Sequence, residues 1–234
     1  MKNIYKKSYM YKESKCVIVT DKKSGIEVAT ESIEHNRSEL EKYIASNPKF
    51  LESFEPLAIP EKPLVARLMA EAAQVASVGP MAAVAGVIAD LAVQDMTNDG
   101  CKVAVIEDGG EISAISHIPI DVALAAGEEP LSRKFGFRLS NFPIGLATSS
   151  GRFSHAFSFG EAEAATVFCK TAGLADAVAT AVANVVKGED TSSAIKKGME
   201  VAMSINEVDG VLILYKGQVG TSGNIPQIIK VKDE

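Results

Sequence analysis

The period of the apolar positions changes along the chain. Residues 5–11 and 15–20 are short runs of β-branched and aromatic side chains interleaved with lysine and serine, which predicts two strands. The DKKSG turn at 21–25 leads to a third predicted strand at 26–30, so the chain opens with a small antiparallel meander. Thr30 suits a helix cap with Glu31 in the first turn, and Ile33, Leu40, Tyr43 and Ile44 form an apolar stripe until Asn47 and Pro48 stop it. Pro56, Pro60 and Pro63 then mark an irregular surface crossing. It is not a domain boundary, because the preceding 50 residues hold too little apolar material to fold alone.

From Pro63 the spacing predicts a helix with Leu64, Val65, Leu68, Met69, Ala72, Ala73 and Ala76 on one broad face. The next helix, starting at Gly79-Pro80, is apolar nearly all round, as expected of a helix in the middle of a domain. Strands are predicted at 102–106 and 111–117 about the Asp108-Gly109-Gly110 hairpin, then at 121–125, 135–139, 144–148, 153–159 and 165–169. An alanine-rich helix over 174–186 and another capped by Thr191 and reaching Ser204 precede closing strands at 210–215, 218–220 and 225–231. Strands are segregated from paired helices, so the fold class is α+β. We expect one domain over residues 1–234, with antiparallel sheets packed on a buried helical layer and residues 1–50 as a subregion.

Composition narrows the function. With 234 residues and 47% hydrophobic content the chain has ample material for a core. A formal charge of −6, from 24 basic and 30 acidic residues, argues against nucleic acid, whose binding depends on neutralising phosphates. Cys16, Cys101 and Cys169 are scattered and odd in number, which predicts neither a disulfide framework nor a zinc knuckle and fits the reducing cytoplasm. The N-terminus lacks the apolar segment of a signal peptide. The apolar run at 81–93 is shorter than the roughly 20 residues that span a bilayer, so no membrane partner is expected.

Within the helix at 174–186 one carboxylate stands out. Asp176 and Thr180 lie about 40° apart on one helical face. A carboxylate among alanines must be paired, hydrogen-bonded or bound to a cation. Asp with a hydroxyl is a hard-oxygen pair suited to Mg²⁺ or Ca²⁺. The alternative is that Asp176 caps a neighbouring helix or loop while Thr180 bonds back to its own helix. Three turns add candidates. Gly79, Pro80 and Met81 begin a helix, where free N–H groups attract phosphate, although Gly-Pro also serves simply to turn the chain. Asp108, Gly109 and Gly110 form a close-approach turn, and Thr148, Ser149, Ser150 and Gly151 offer hydroxyls and a backbone nest. His155 is a candidate acid, base or phosphate ligand, or else a packed histidine beside Phe153, Phe157 and Phe159.

Taken in order, VGPMAAVAG, EDGGEI, TSSGRFSHAFSFG and LADAVATAVAN resemble the uncharacterised ApbE-like protein family, over nearly the whole chain and including HNRSELEKYIASNPKF. That family is distantly similar to the ApbE flavin transferases, which use FAD and Mg²⁺ to attach FMN to a threonine or serine of an acceptor protein. The resemblance implies that Asp176 and Thr180 are magnesium ligands, matching the Asp and Thr of the transferases' ADALATA helix. It implies that Gly86 and Asp90 match the Gly and Asp of KGYAVD, and Asp108, Gly109 and Gly110 the flavin-contacting NGGD turn. Two departures count against transfer. Asp108 and Glu111 replace Asn and Asp, and HIIDPRTG has no equivalent beyond His155 in roughly that place. The expected function is therefore binding of a flavin dinucleotide or similar pyrophosphate ligand with Mg²⁺, with or without transfer to an acceptor. The resemblance also implies two alternatives: a factor in sulfide assimilation and homocysteine formation in anaerobes, and a non-catalytic flavin- or partner-binding module. Nothing in the sequence excludes an oligomer.

Overall fold

A computed structural model describes residues 3–12, 14–123, 135–150 and 160–230. Eight strands form one antiparallel sheet: β1 (Tyr5–Tyr11), β2 (Ser14–Thr20), β3 (Val103–Asp108), β4 (Glu111–Ser116), β7 (Ile144–Ser149), β8 (Ala164–Cys169), β9 (Val208–Tyr215) and β10 (Gln218–Gly223), in that spatial order. Three more, β5 (Ile120–Ala123), β6 (Phe135–Leu139) and β11 (Gln227–Lys230), form a small sheet with β6 in the centre.

Period-2 burial gives the large sheet two used faces. Ile18, Ala104, Ile106, Ala147, Val167 and Ile213 point to a helical layer. Their neighbours Val103, Val105, Ile112, Leu146, Phe168 and Leu212 point the other way and meet Phe137 and Leu139 of the small sheet. The rings of Phe137 and Phe168 meet edge to face, 4.9 Å apart at an interplanar angle of 79°. The arrangement is three layers, α+β as expected.

The helical layer comprises α1 (Ser24–Ser46), the single turn α2 (Lys49–Glu52), α3 (Leu64–Ala76), a 3₁₀ turn at Pro80–Ala83 running into α4 (Val84–Asn98), α5 (Ala172–Val185) and α6 (Thr191–Met203). No single helix among the described residues is long and apolar enough to cross a membrane. The hydrophobic α4 and α5 lie at the centre, against the sheet and each other.

Three expectations change. Residues 26–30 are not a strand, because α1 begins at Ser24 and buries Gly25, Ala29, Ser32, Ile33, Asn36 and Leu40. A Cβ at Gly25 would sit 2.7 Å from both Cys101 Sγ and Thr20 Oγ1, so the lack of a side chain lets the first turn close on the sheet. Thr30 is consequently inside the helix and bonds the Glu27 carbonyl instead of capping. At α6 the cap is Asp190, whose carboxylate accepts from Ser193 N at 3.1 Å; Thr191 is the first helical residue. The strand expected at 153–159 lies outside the described residues.

Candidate functional site

Neither α4 nor α5 has a side-chain cap of its own, since Ala83 and Thr171 stand at the N-cap positions without a capping bond. The two helices close each other instead. Asp90, on α4, accepts from Ala172 N and Gly173 N, both at 2.9 Å. Asp176, on α5, accepts from Gly86 N at 3.1 Å. A carboxylate at a helix N-terminus satisfies orphan N–H groups and opposes the helix dipole. Two glycines allow the approach. A Cβ at Gly86 would meet the Ala172 carbonyl oxygen at 2.3 Å, and one at Gly173 would meet Val87 Cγ2 at 2.4 Å.

This joint bears directly on the sequence-predicted residues. Asp176 is a cap of a neighbouring helix, as one of the two readings of its spacing required. Thr180 forms no back-bond to its own helix among the described residues, unlike Thr30 and Thr97. Its hydroxyl stands one turn beyond Asp176 on the same face. Gly86 and Asp90, matched above to the transferases' KGYAVD segment, are occupied by the joint. Gly79 is likewise not open to a ligand, because the place of its Cβ is filled by the Ser53 carbonyl oxygen, 1.9 Å away. Pro80 is buried and Met81 partly so, against the main core.

The remaining turns converge on Asp176. Gly109 and Gly110 have φ of +73° and +137°, the left-handed side of the map that a tight hairpin needs. The Gly110 Cβ position lies 3.8 Å from the Thr148 carbonyl, so the β3–β4 turn abuts the end of β7. Thr148 is tied sideways to Thr166 through their hydroxyls at 2.9 Å, and Ser150 is buried. Asp108, also buried, turns toward β2, where it accepts from Lys15 N at 3.1 Å. Gly151 and His155 lie outside the described residues.

Several carboxylates therefore share a small volume, and each is raised above the usual carboxylate range. Burial pushes Asp176 up to about 8 against the bond from Gly86, with the charges of Asp108 and Asp90 adding to the rise. Glu111 is held well above the usual range by burial first, then by Asp176 and Asp108. Asp108 is raised by burial, opposed by bonds from Ser14, Lys15 and Cys16. Asp90 is raised by burial despite its bonds from Gly173, Ala172 and Ser113. Glu111 is the residue that sequence reasoning undervalued. It entered only as a departure from a motif, although its place beside the hairpin aims it at the helix that carries Asp176.

Among the described residues no three His, Cys, Asp or Glu side chains are arranged to hold a metal ion. The oxygen donors do suit Mg²⁺ in its commonest protein setting, one or two carboxylates completed by phosphate and water. The cysteines suit no exposed chemistry: all three are free and buried. Burial, then Asp108, pushes the Cys16 thiol up to about 12, and burial, then Asp209, does the same to Cys169.

The three layers, with paired helices over a long antiparallel sheet, are those of the ApbE fold. Pseudomonas stutzeri flavinyl transferase ApbE in its apo form superposes with a TM-score of 0.64 at 16% identity, over 94% of each chain. The ApbE protein of Thermotoga maritima gives 0.58 at 13% identity, over 98% of this chain and 97% of that one. At this identity the likeness is one of fold. By sequence, residues 6–219 match the model described as "AbpE bacteria", and the chain belongs to that family. Among its relatives are the UPF0280 protein MJ1526 of Methanocaldococcus jannaschii, 38% identical over 97% of this chain and 93% of that protein, and a UPF0280 protein of Methanospirillum hungatei, 41% identical over 95% and 89%.

Proposed function

We propose that this chain binds a flavin dinucleotide or a closely related pyrophosphate ligand together with Mg²⁺, in the angle between the Asp108–Glu111 hairpin, the end of β7 and the face of α5. The observation that carries the reading is the gathering of Glu111, Asp176 and Asp108 around a glycine turn, each raised above the usual carboxylate range. Such a group is relieved by a divalent cation. Asp176 and Thr180 would hold the ion, with Asp108 and Glu111 close enough for their charges to act on Asp176 and on each other. When bound, Mg²⁺ neutralises charge on phosphate oxygens.

The chain's own residues set the rest. Gly109 and Gly110 keep side chains out of the turn, so backbone N–H groups can meet a phosphate or a ring edge. Gly86 N holds one oxygen of Asp176 and so orients the carboxylate. Transfer of a flavin phosphate to an acceptor hydroxyl belongs to the relatives named for it, and this chain lacks the motif HIIDPRTG that accompanies it. Binding is thus the activity proposed, and FMN transfer to an acceptor protein its extension.

The test is a thermal shift. FAD with Mg²⁺ raises the melting temperature of the wild-type chain, and the rise disappears in Asp176→Asn, which keeps an acceptor for Gly86 N but loses the charge. No rise in the wild type, or an equal rise in the variant, overturns the proposal.

A further inference from the structure

β1 is the outermost strand of the large sheet, and among the described residues its outer edge has no partner strand. All 7 of its residues pair with β2 in one unbroken register, from Tyr5 opposite Thr20 to Tyr11 opposite Ser14. A long edge without proline or a bulge is one that proteins ordinarily avoid, because it templates a further strand.

The register decides which backbone groups are free. Only two residues separate Tyr11 from Ser14, and Lys12 has φ of +52°, as the first central residue of a tight type I′ hairpin does. Residues flanking such a turn form a hydrogen-bonded pair, and these pairs alternate along an antiparallel ladder. Tyr11, Tyr9, Lys7 and Tyr5 therefore turn their N–H and C=O toward β2, while Met10, Ser8 and Lys6 turn theirs outward. The side chains of those same three residues share one face of the strand, and all are exposed. Met10, at 68%, is the most exposed large apolar side chain among the described residues. The opposite face belongs to α1, where the Tyr9 hydroxyl bonds Glu34 and Lys12 pairs with Glu41.

The edge is basic in a chain whose net charge is −6. β1 carries Lys6 and Lys7 and no acid, and Lys15 lies opposite Met10. Among the described residues neither Lys6 nor Lys15 has an anionic partner, and Lys7 stands 5.8 Å from the centre of the Tyr9 ring. Lysines on an edge repel a like strand. A second copy would bring its own Lys6 and Lys7 and no acid, so charge complementarity selects an acidic strand from a different protein.

We propose that the outer edge of β1 docks an acidic, extended segment of a partner protein as an added antiparallel strand. Read from its N-terminus, the segment places an apolar residue opposite Met10, small polar residues opposite Tyr9 and Ser8, and acids opposite Lys7 and Lys6. Backbone bonds to Met10, Ser8 and Lys6 supply affinity, and the cross-strand side-chain pairs supply preference. The edge is separate from the pyrophosphate site and does not depend on it.

The test uses the full chain and a fluorescent, end-blocked peptide, Gly-Ile-Thr-Thr-Glu-Glu-Gly, followed by fluorescence anisotropy. Saturable binding is expected, at least tenfold weaker when both glutamates are replaced by lysine. N-methylation of the second threonine, whose N–H faces Ser8, abolishes binding; N-methylation of the first, whose N–H faces away, leaves it. Ser8→Pro removes an outward N–H that the β1–β2 ladder does not use, so the variant melts within a few degrees of the wild type and no longer binds. Lys6→Glu keeps the backbone edge and weakens the acidic peptide at least threefold. Binding persists in Asp176→Asn, so failure of the pyrophosphate reading leaves this result intact. Absence of binding, equal binding of the lysine peptide, equal loss from the two methylations, or a dimer by analytical ultracentrifugation that Ser8→Pro dissociates overturns the proposal.

Discussion

Asp90 and Asp176 sit on two crossing helices, and each closes the N-terminus of the helix that carries the other. The exchange links residues 82 to 90 positions apart. It places two partly buried carboxylates at the middle of the helical layer, within reach of the candidate ligand site.

Removing one half of the exchange leaves backbone donors unpaired. Asp90→Ala is expected to destabilise the chain by about 2 to 3 kcal/mol, the loss of a helix cap together with buried N–H groups that find no substitute. Asp90→Asn keeps an acceptor for only one of the two N–H groups and turns its amide NH2 toward the other, so it recovers only part of that loss. Urea denaturation midpoints at constant slope measure both.

The pH dependence of stability has a definite sign. Asp176 moves from 3.8 in the unfolded chain to about 8 in the folded one, so the folded state binds more protons through that window. Its contribution is whole below 3.8 and is lost as pH climbs through about 8; Glu111 shifts in the same direction. The metal-free protein should therefore melt at a higher temperature near about pH 5 than near about pH 8. Asp176→Asn flattens the profile, and a steeper or inverted slope in that variant contradicts the assignment.

Gly86→Ala tests the closeness of the crossing. The added methyl would overlap the Ala172 carbonyl, backbone that cannot swing aside. Overpacking of this kind costs about 1 to 3 kcal/mol. The variant should also weaken the Gly86–Asp176 bond, so its pH profile should change along with its midpoint.

The cysteines should be silent. In native buffer an aromatic disulfide reagent is expected to label Cys16, Cys101 and Cys169 far more slowly than in guanidinium, where all three react at once. Rapid labelling of any one in the native state would reopen a thiol role in sulfur chemistry.

Much of the sheet was readable because its signal is local: the hairpin at Asp108–Glu111 needs only two glycines between alternating runs, and α4 and α5 only their apolar composition. The start of α1 was not, because its buried face is made from Gly25, Ser32 and Asn36 as well as Ile33 and Leu40. A polar or side-chain-free residue carries no hydrophobic signal, and Asn36 is accommodated only because its amide bonds the Ser32 carbonyl at 2.9 Å. At the site, the spacing of Asp176 and Thr180 defined a face but not a partner. Gly86 N is 90 residues away, and nothing near Asp176 in the chain announces it. Gly79 shows the converse, since a glycine before a proline advertises an opening that Ser53 has already filled.

The crossed caps give residue 176 two duties of different age in the folding of the chain. The helix joint must form whenever the protein folds, whereas a ligand arrives only afterwards. A form of this protein that had given up its ligand would still require an acceptor at 176 for the first turn of α4. On the proposed function the charge, not the position, is therefore the part of Asp176 that belongs to chemistry, and asparagine is the substitution that separates the two.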